Sequence, residues 1–258
     1  MPETAPRIVT LTTDFGTGSS YVAELKGRLL HARTSVALVD ITHDVLAHDV
    51  RAAAWLVARA CPAFPPGSLH LIVVDPGVGT ARRVVWVKAG GQEYLAPDNG
   101  VLSRVLATAP AEGARVLSVP PAASTTFHGR DVIAPAAAAL VEGTAAELLG
   151  PDAGQLERLP IPVPRETSAG LEGEVVHVDT FGNLLTNLPA DLLPRLVAAG
   201  RLMVGDRVIT RIVRTYGEAP PSTAVALVGS QGVIEAAVVQ GRADDACAAR
   251  IGTRVVLP

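Results

Sequence analysis

An aspartate, an arginine and a histidine, each on a loop near the end of a strand-like or helix-like run, are the residues in this chain best suited to handle a water molecule. Asp75 closes the apolar run LHLIVV, Arg82 follows seven residues later in the Gly-rich turn DPGVGTARR, and His128 sits in FHGRD just before a helix-like stretch. A carboxylate and an imidazole can orient a water and accept hydrogen bonds from it. A guanidinium beside them lowers the cost of hydroxide character. Each residue also has a plainer use: Asp75 as a turn residue before Pro76-Gly77, Arg82 as a surface charge, and His128 as a helix-entry residue.

The glycines narrow the ligand. DFGTGSSY places G-x-G between a strand-like and a helix-like run, but Tyr21 stands where a dinucleotide fold has its third glycine. Asp14 ends the strand-like run, where a carboxylate repels phosphate and can hold ribose hydroxyls. DPGVGTARR lacks the G-K-[ST] ending of a phosphate loop. HDVLAHDV gathers His43, Asp44, His48 and Asp49, but residues five apart do not share a helix face and no further ligand cluster completes a set, so no metal is expected. Later in the chain, HVDTFGNLLTNL offers Asp179, Phe181, Gly182 and Asn183 at a turn. Together they suit an ammonium, an aromatic ring and its polar edge, or serve as an ordinary Asx turn. Ser230 and Gln231 form a second polar turn, which also reads as a plain hairpin.

These loops need a scaffold. The run RIVTLTT (7–13), a helical pattern with Val22, Leu25, Leu29 and Leu30, the run VALVDI, an Ala-rich helix capped by Asp49, and LHLIVV alternate strand with helix. VVWVKA and QEYLAP read as a hairpin, followed by a helix from about Gly100, a strand at ARVLSVP and a helix at DVIAPAAAALVEG. This predicts a mostly parallel, Rossmann-like α/β domain over residues 1–150. Four prolines in PDAGQLERLPIPVPRETSAG mark a linker over 151–169. Short strand-like runs separated by Gly and Pro (GEVVHVDT, RLMVGDRVITRIVRTY, TAVALVG, GVIEAAVV and TRVVLP) predict a smaller β-barrel-like domain over 170–258.

Composition excludes several classes. Of the 258 residues 48% are hydrophobic and 18% charged, as in a folded globular protein. A formal charge of −3 supplies no basic field for nucleic acid. No apolar run is long enough for a membrane helix and MPETAPRIVT lacks a signal-peptide pattern, so a cytoplasmic protein without membrane partners is expected. Cys61 and Cys247 form no CxxC pattern and read as ordinary buried thiols.

In their order, TDFGT, VDITHDVLAHDVRAAAW, VVDPGVGTARR, APDNGVL, FHGRDVIAPAAA, DTFGNLLTN and GSQGVIEAAVVQG resemble the SAM hydroxide adenosyltransferases, the S-adenosylmethionine (SAM) hydrolases related to fluorinase and chlorinase. The resemblance runs from Ile8 to about Gly241. It implies that water displaces methionine from the ribose 5′ carbon, giving adenosine and L-methionine, with no cofactor. It places the water-handling trio on Asp75, Arg82 and His128, and the ribose contact on Asp14. It also implies Asp179 at the methionine ammonium, Ser230 at its carboxylate, and Asn183 at the adenine edge. Phe181 and Tyr216 would lie against the ring, with backbone groups of Val238, Val239 and Gln240 completing the adenine contacts. A homotrimer is implied, each site formed by the first domain of one subunit and the second of its neighbour.

Two rivals follow from the same resemblance. Fluorinase carries Tyr at the position of Asp75 and Tyr-Ser at that of His128-Gly129, so a SAM-dependent halogenase is the near alternative; chlorinase shares the glycine. Gln231, where fluorinase has Arg, is a smaller departure. A SAM-binding sensor with little turnover is the other rival, and it has no need of a water-handling trio.

Overall fold

The computed structural model describes residues 6–32 and 35–258; residues 1–5, which open the N-terminal stretch read above, lie outside them. The described chain divides into two compact units, Met1–Pro160 and Ile161–Pro258.

The first unit is built on strands β1 (Arg7–Thr13), β2 (Val36–Thr42), β3 (Leu69–Val73), β4 (Val84–Ala89), β5 (Gln92–Pro97) and β6 (Ala111–Val116), in the order β2-β1-β3-β5-β4-β6. β1 runs parallel to β2 and β3, and β3 parallel to β5, while β4 is antiparallel to both neighbours. Successive side chains of a strand point to opposite faces, so the central strands build two cores. Val9, Leu11, Leu69, Leu71, Trp86 and Leu95 meet Leu25 and Leu29 of α1 (Tyr21–Leu29) and Ala137 and Leu140 of α4 (Ala134–Val141). On the other face Ile72, Val85, Val87 and Tyr94 meet Ala53 and Val57 of α2 (Val50–Ala60) and Val105 and Leu106 of α3 (Val105–Thr108). The result is an α/β sheet with helices on both faces. Crossovers to opposite faces leave a crevice beyond the carboxyl ends of β1 and β3, where such sheets bind ligands.

Three local expectations shift. The helix read from Gly100 shortens to α3, because Gly100 takes φ +88° and the Leu159 side chain and amide nitrogen occupy the space a side chain would need. Leu30 is the C-cap of α1 and is exposed, so that helix buries Leu25 and Leu29 alone. The helix read over DVIAPAAAALVEG opens with a wider turn, Gly129–Ile133, in which the Ala134 amide reaches the Gly129 carbonyl. Pro135 has no amide to donate, which suits that loosened turn.

The Pro-rich stretch is bound to structure along much of its length. Ala153 and Leu156 join the first unit's core, and Arg83 donates to the Ala153 and Gln155 carbonyls, both at 2.7 Å. β7 (Arg165–Thr167) pairs with β8 (Gly170–Val178). The second unit continues through β9 (Leu184–Pro189), α5 (Leu193–Ala199), β10 (Leu202–Val204), β11 (Arg207–Ile209), β12 (Arg211–Ile212), β13 (Ala224–Val228), β14 (Val233–Val238), α6 (Ala243–Cys247) and β15 (Arg254–Leu257). The strand order β11-β10-β15-β8-β9-β14-β13-β12 makes a nearly closed barrel around Val175, Leu184, Leu188, Leu202, Ile234 and Val255. β8 pairs β15 along its first half and β9 along its second, with a register shift between Val175 and His177. That irregularity is the usual device by which one strand turns a barrel corner.

Candidate functional site

Register brings the first site together. Thr13 of β1 lies opposite Val73 of β3, so Asp14, one residue beyond the first strand, and Asp75, two beyond the second, reach the same crevice. A cavity of about 250 Å³ opens there, lined among others by Asp14, Tyr21, His48, Asp75, His128 and Gly129. Asp14 accepts the His48 amide at 2.9 Å. His48 holds φ +68° immediately before Asp49, whose carboxylate caps α2 through the Ala52 amide at 2.9 Å. His43 is buried with Nδ1 2.9 Å from Thr13 Oγ1. The HDVLAHDV residues therefore brace Asp14 and start a helix. Among the described residues no three His, Cys, Asp or Glu gather as a metal ligand set.

The trio read from the sequence is contiguous in space. Arg82 Nη2 donates to Asp75 Oδ2 and lies 3.3 Å from His128 Nδ1. A guanidinium only donates, so Nδ1 accepts and the neutral imidazole carries its proton on Nε2. The side chains of Asp75 and Arg82 are 7% and 9% exposed, and His128 is buried. Asp75 Oδ1 is buried without a hydrogen-bond partner. A buried acceptor without a partner, on a residue that lines the cavity, calls for a water or a reacting group to satisfy it. Burial raises Asp75 above the usual aspartate range, partly offset by Arg82. Burial, reinforced by Arg82, lowers His128. The two shifts favour a neutral imidazole at neutral pH, while Arg82 favours the ionised form of Asp75 against its burial.

Aromatic side chains wall the cavity. Phe15, Tyr21 and Phe127 meet edge to face with ring centres 5.3–5.6 Å apart. Arg130 stacks 4.9 Å from the Phe127 ring centre and reaches Glu24 at 2.8 Å and Asp131 at 2.7 Å. Sequence reasoning noted Tyr21 only as a missing glycine. A Cβ on Gly129 would lie 3.0 Å from Val73 Cγ1, so a side chain there requires the wall to move.

The second unit gathers its own polar group. Asp179 Oδ1 accepts the Phe181 and Asn183 amides, and its Oδ2 accepts Asn183 Nδ2, all at 2.9 Å. Gly182 closes the turn at φ +81°, leaving Phe181 74% exposed. Asp179 is therefore an Asx-turn residue, and Oδ2, with that single contact, keeps room for another donor. Tyr216 donates its hydroxyl to Glu235. Ser230 is exposed in the turn between β13 and β14. At the end of β14 the Val239 amide and carbonyl bond Thr223 and Ser222, and Val238 O takes the Gly241 amide, while Gln240 is exposed at φ +52°. Glu235 was missed by sequence reasoning. Its signal was a lone carboxylate inside the apolar run VIEAAVV.

Comparison with known proteins bears on these loops directly. The family model described as SAM hydroxide adenosyltransferase N-terminal domain matches residues 9–150, and the C-terminal domain model matches residues 173–256. The (R)-S-adenosyl-L-methionine hydrolase of Thermus thermophilus is 39% identical, over 97% of this chain and 99% of that protein. That of Salinispora arenicola is 37% identical over 96% of each. A fluorinase of Actinoplanes is 28% identical over 73% of this chain and 74% of its own length. The crystal structure of an uncharacterized conserved protein from Thermotoga maritima superposes with a TM-score of 0.88 at 34% identity, covering 96% of this chain and 98% of that one.

Proposed function

The chain belongs to the SAM hydroxide adenosyltransferase family, and from that premise we propose that it hydrolyses S-adenosyl-L-methionine to adenosine and L-methionine. The observation that carries the reading is the buried Asp75–Arg82–His128 group beside the cavity, with one carboxylate oxygen left without a partner.

In this reading Asp14 holds the ribose hydroxyls and the 5′ carbon faces the trio. Asp75 Oδ1 accepts a hydrogen bond from the attacking water and takes its proton, while His128 Nε2–H donates to the water oxygen and fixes its direction. Arg82 holds both partners through one nitrogen and stabilises negative charge as it develops. The water oxygen bonds to the 5′ carbon as the carbon–sulfur bond breaks, and the bonding pair leaves with sulfur as a neutral thioether. The released proton passes from Asp75 to solvent. Orientation and exclusion of bulk water supply the rate.

Asp179 is assigned to the methionine ammonium and Ser230 to its carboxylate. Asn183 takes the adenine edge, Phe181 and Tyr216 its ring faces, and the backbone of Val238–Gln240 the remaining ring contacts. A homotrimer acting in the cytoplasm completes the reading. Among the described residues no helix is long and apolar enough to cross a membrane. A halide beside the Asp75 carboxylate would be repelled, which favours water over halide as the nucleophile.

Chromatography of SAM incubated with the protein, with and without chloride or fluoride and beside Asp75→Ala, tests this. Adenosine and methionine in halide-free buffer, lost in the variant, are expected. A 5′-halo-adenosine would make the protein a halogenase, and bound but unchanged SAM would make it a sensor.

A further inference from the structure

Glu235 is a carboxylate in the middle of a barrel strand. On β14 it pairs with Leu185 of β9 and Leu227 of β13, and it is 4% exposed. Among the described residues no Lys, Arg or His forms an ion pair with it, and the Asp179 charge is near enough to oppose its ionisation. A buried acid without a counter-charge costs stability and calls for a compensating role.

Its contacts supply one. Glu235 Oε1 accepts the Tyr216 hydroxyl. Oε2 fills the space beside Gly229, where a Cβ would overlap it. Tyr216 starts a three-residue turn, Tyr216–Glu218, closed by local backbone bonds at 3.2 and 3.4 Å to its flanking residues and tied to β12 by Arg211 Nη2, which donates to the Glu218 carbonyl at 2.9 Å. Tyr216 is 42% exposed while its hydroxyl is anchored to a buried carboxylate. A buried hydrogen bond from strand to turn fixes the direction of the ring that it anchors.

We propose that Glu235 is a positioning residue for substrate binding: its carboxylate holds the Tyr216 ring at the angle that receives the adenine, and residue 229 is glycine to admit that carboxylate. The inference rests on the assignment of Tyr216 to the adenine ring made above. Tyr216 acts on the ligand, and Glu235 acts through Tyr216.

Steady-state kinetics of the full chain with SAM separate the two. Glu235→Ala raises KM about tenfold, the scale of one lost buried hydrogen bond, and leaves kcat within about twofold. Glu235→Gln, which keeps an acceptor oxygen, recovers most of the loss. Tyr216→Phe raises KM to the same extent, and the Tyr216→Phe/Glu235→Ala double variant is no worse than either single one. An unchanged KM in Glu235→Ala, or additive losses in the double variant, overturns the proposal. Should Tyr216→Ala itself leave KM unchanged, the adenine assignment fails and the positioning role with it; a rise in Tyr216→Ala but not in Glu235→Ala removes the positioning role alone. If Glu235→Ala does not fold, the conservative pair decides: a raised KM in Tyr216→Phe beside near-normal Glu235→Gln supports it, and an unchanged KM in Tyr216→Phe overturns it.

Discussion

Arg82 Nη2 touches both Asp75 and His128, so the two groups titrate in each other's presence and in the field of one fixed cation. Burial raises Asp75 above the ordinary 3.8, and burial with the Arg82 charge lowers His128 below the ordinary 6.5. The sign follows for both. As pH falls, Asp75 gains a proton and ceases to accept one from water, and His128 becomes a cation beside Arg82. Activity therefore declines on the acid side in a limb whose midpoint lies above the 3.8 of an ordinary aspartate, and is unaffected by these two groups once both are deprotonated. A kcat/KM profile against pH checks this. Full activity at pH 3.8 would remove the trio from the chemistry. The residue types and the seven-residue spacing of Asp75 and Arg82 were legible in the chain. The shared nitrogen, and with it the tautomer of His128, were not, because they depend on a contact spanning 46 residues.

Elements make that geometry repeatable. The start of α2 serves two purposes: Asp49 caps the helix, and the preceding residue, His48, presents its amide to Asp14. Asp49→Ala should cost about 1 kcal/mol of stability, with Asp49→Asn close to neutral, because asparagine caps nearly as well. Denaturant titration followed by tryptophan fluorescence measures this cleanly, since Trp55 and Trp86 both lie in the first unit. The cap itself could be read from sequence, as could strands β1 to β5, whose apolar runs are bounded by turn residues. The helix over residues 100–108 could not be read correctly. Its local pattern is helical, but Gly100 turns left-handed and Leu159, from far along the chain, takes the adjoining space.

At the scale of the whole molecule, the homotrimer proposed above predicts a solution mass three times the 26.6 kDa of one chain. Light scattering on the purified protein checks it, and a monomeric mass at working concentration would exclude the trimer. The amino-acid sequence alone determined the class of each unit, because alternation of apolar residues at periods of two and 3.6 is a local property. It also determined the family, through several short motifs in fixed order. Tertiary structure decided which of those residues act together. Pairing of Thr13 with Val73 puts Asp14 and Asp75, 61 positions apart by the numbering of the chain, at one crevice. Burial then leaves Asp75 Oδ1 without a partner and shifts Asp75 up and His128 down. Glu235 shows the same limit from the other side. In the sequence it is one acid in an apolar run, and only the fold sets it beneath Tyr216 and against a glycine, since burial and hydrogen bonding arise from packing between distant segments.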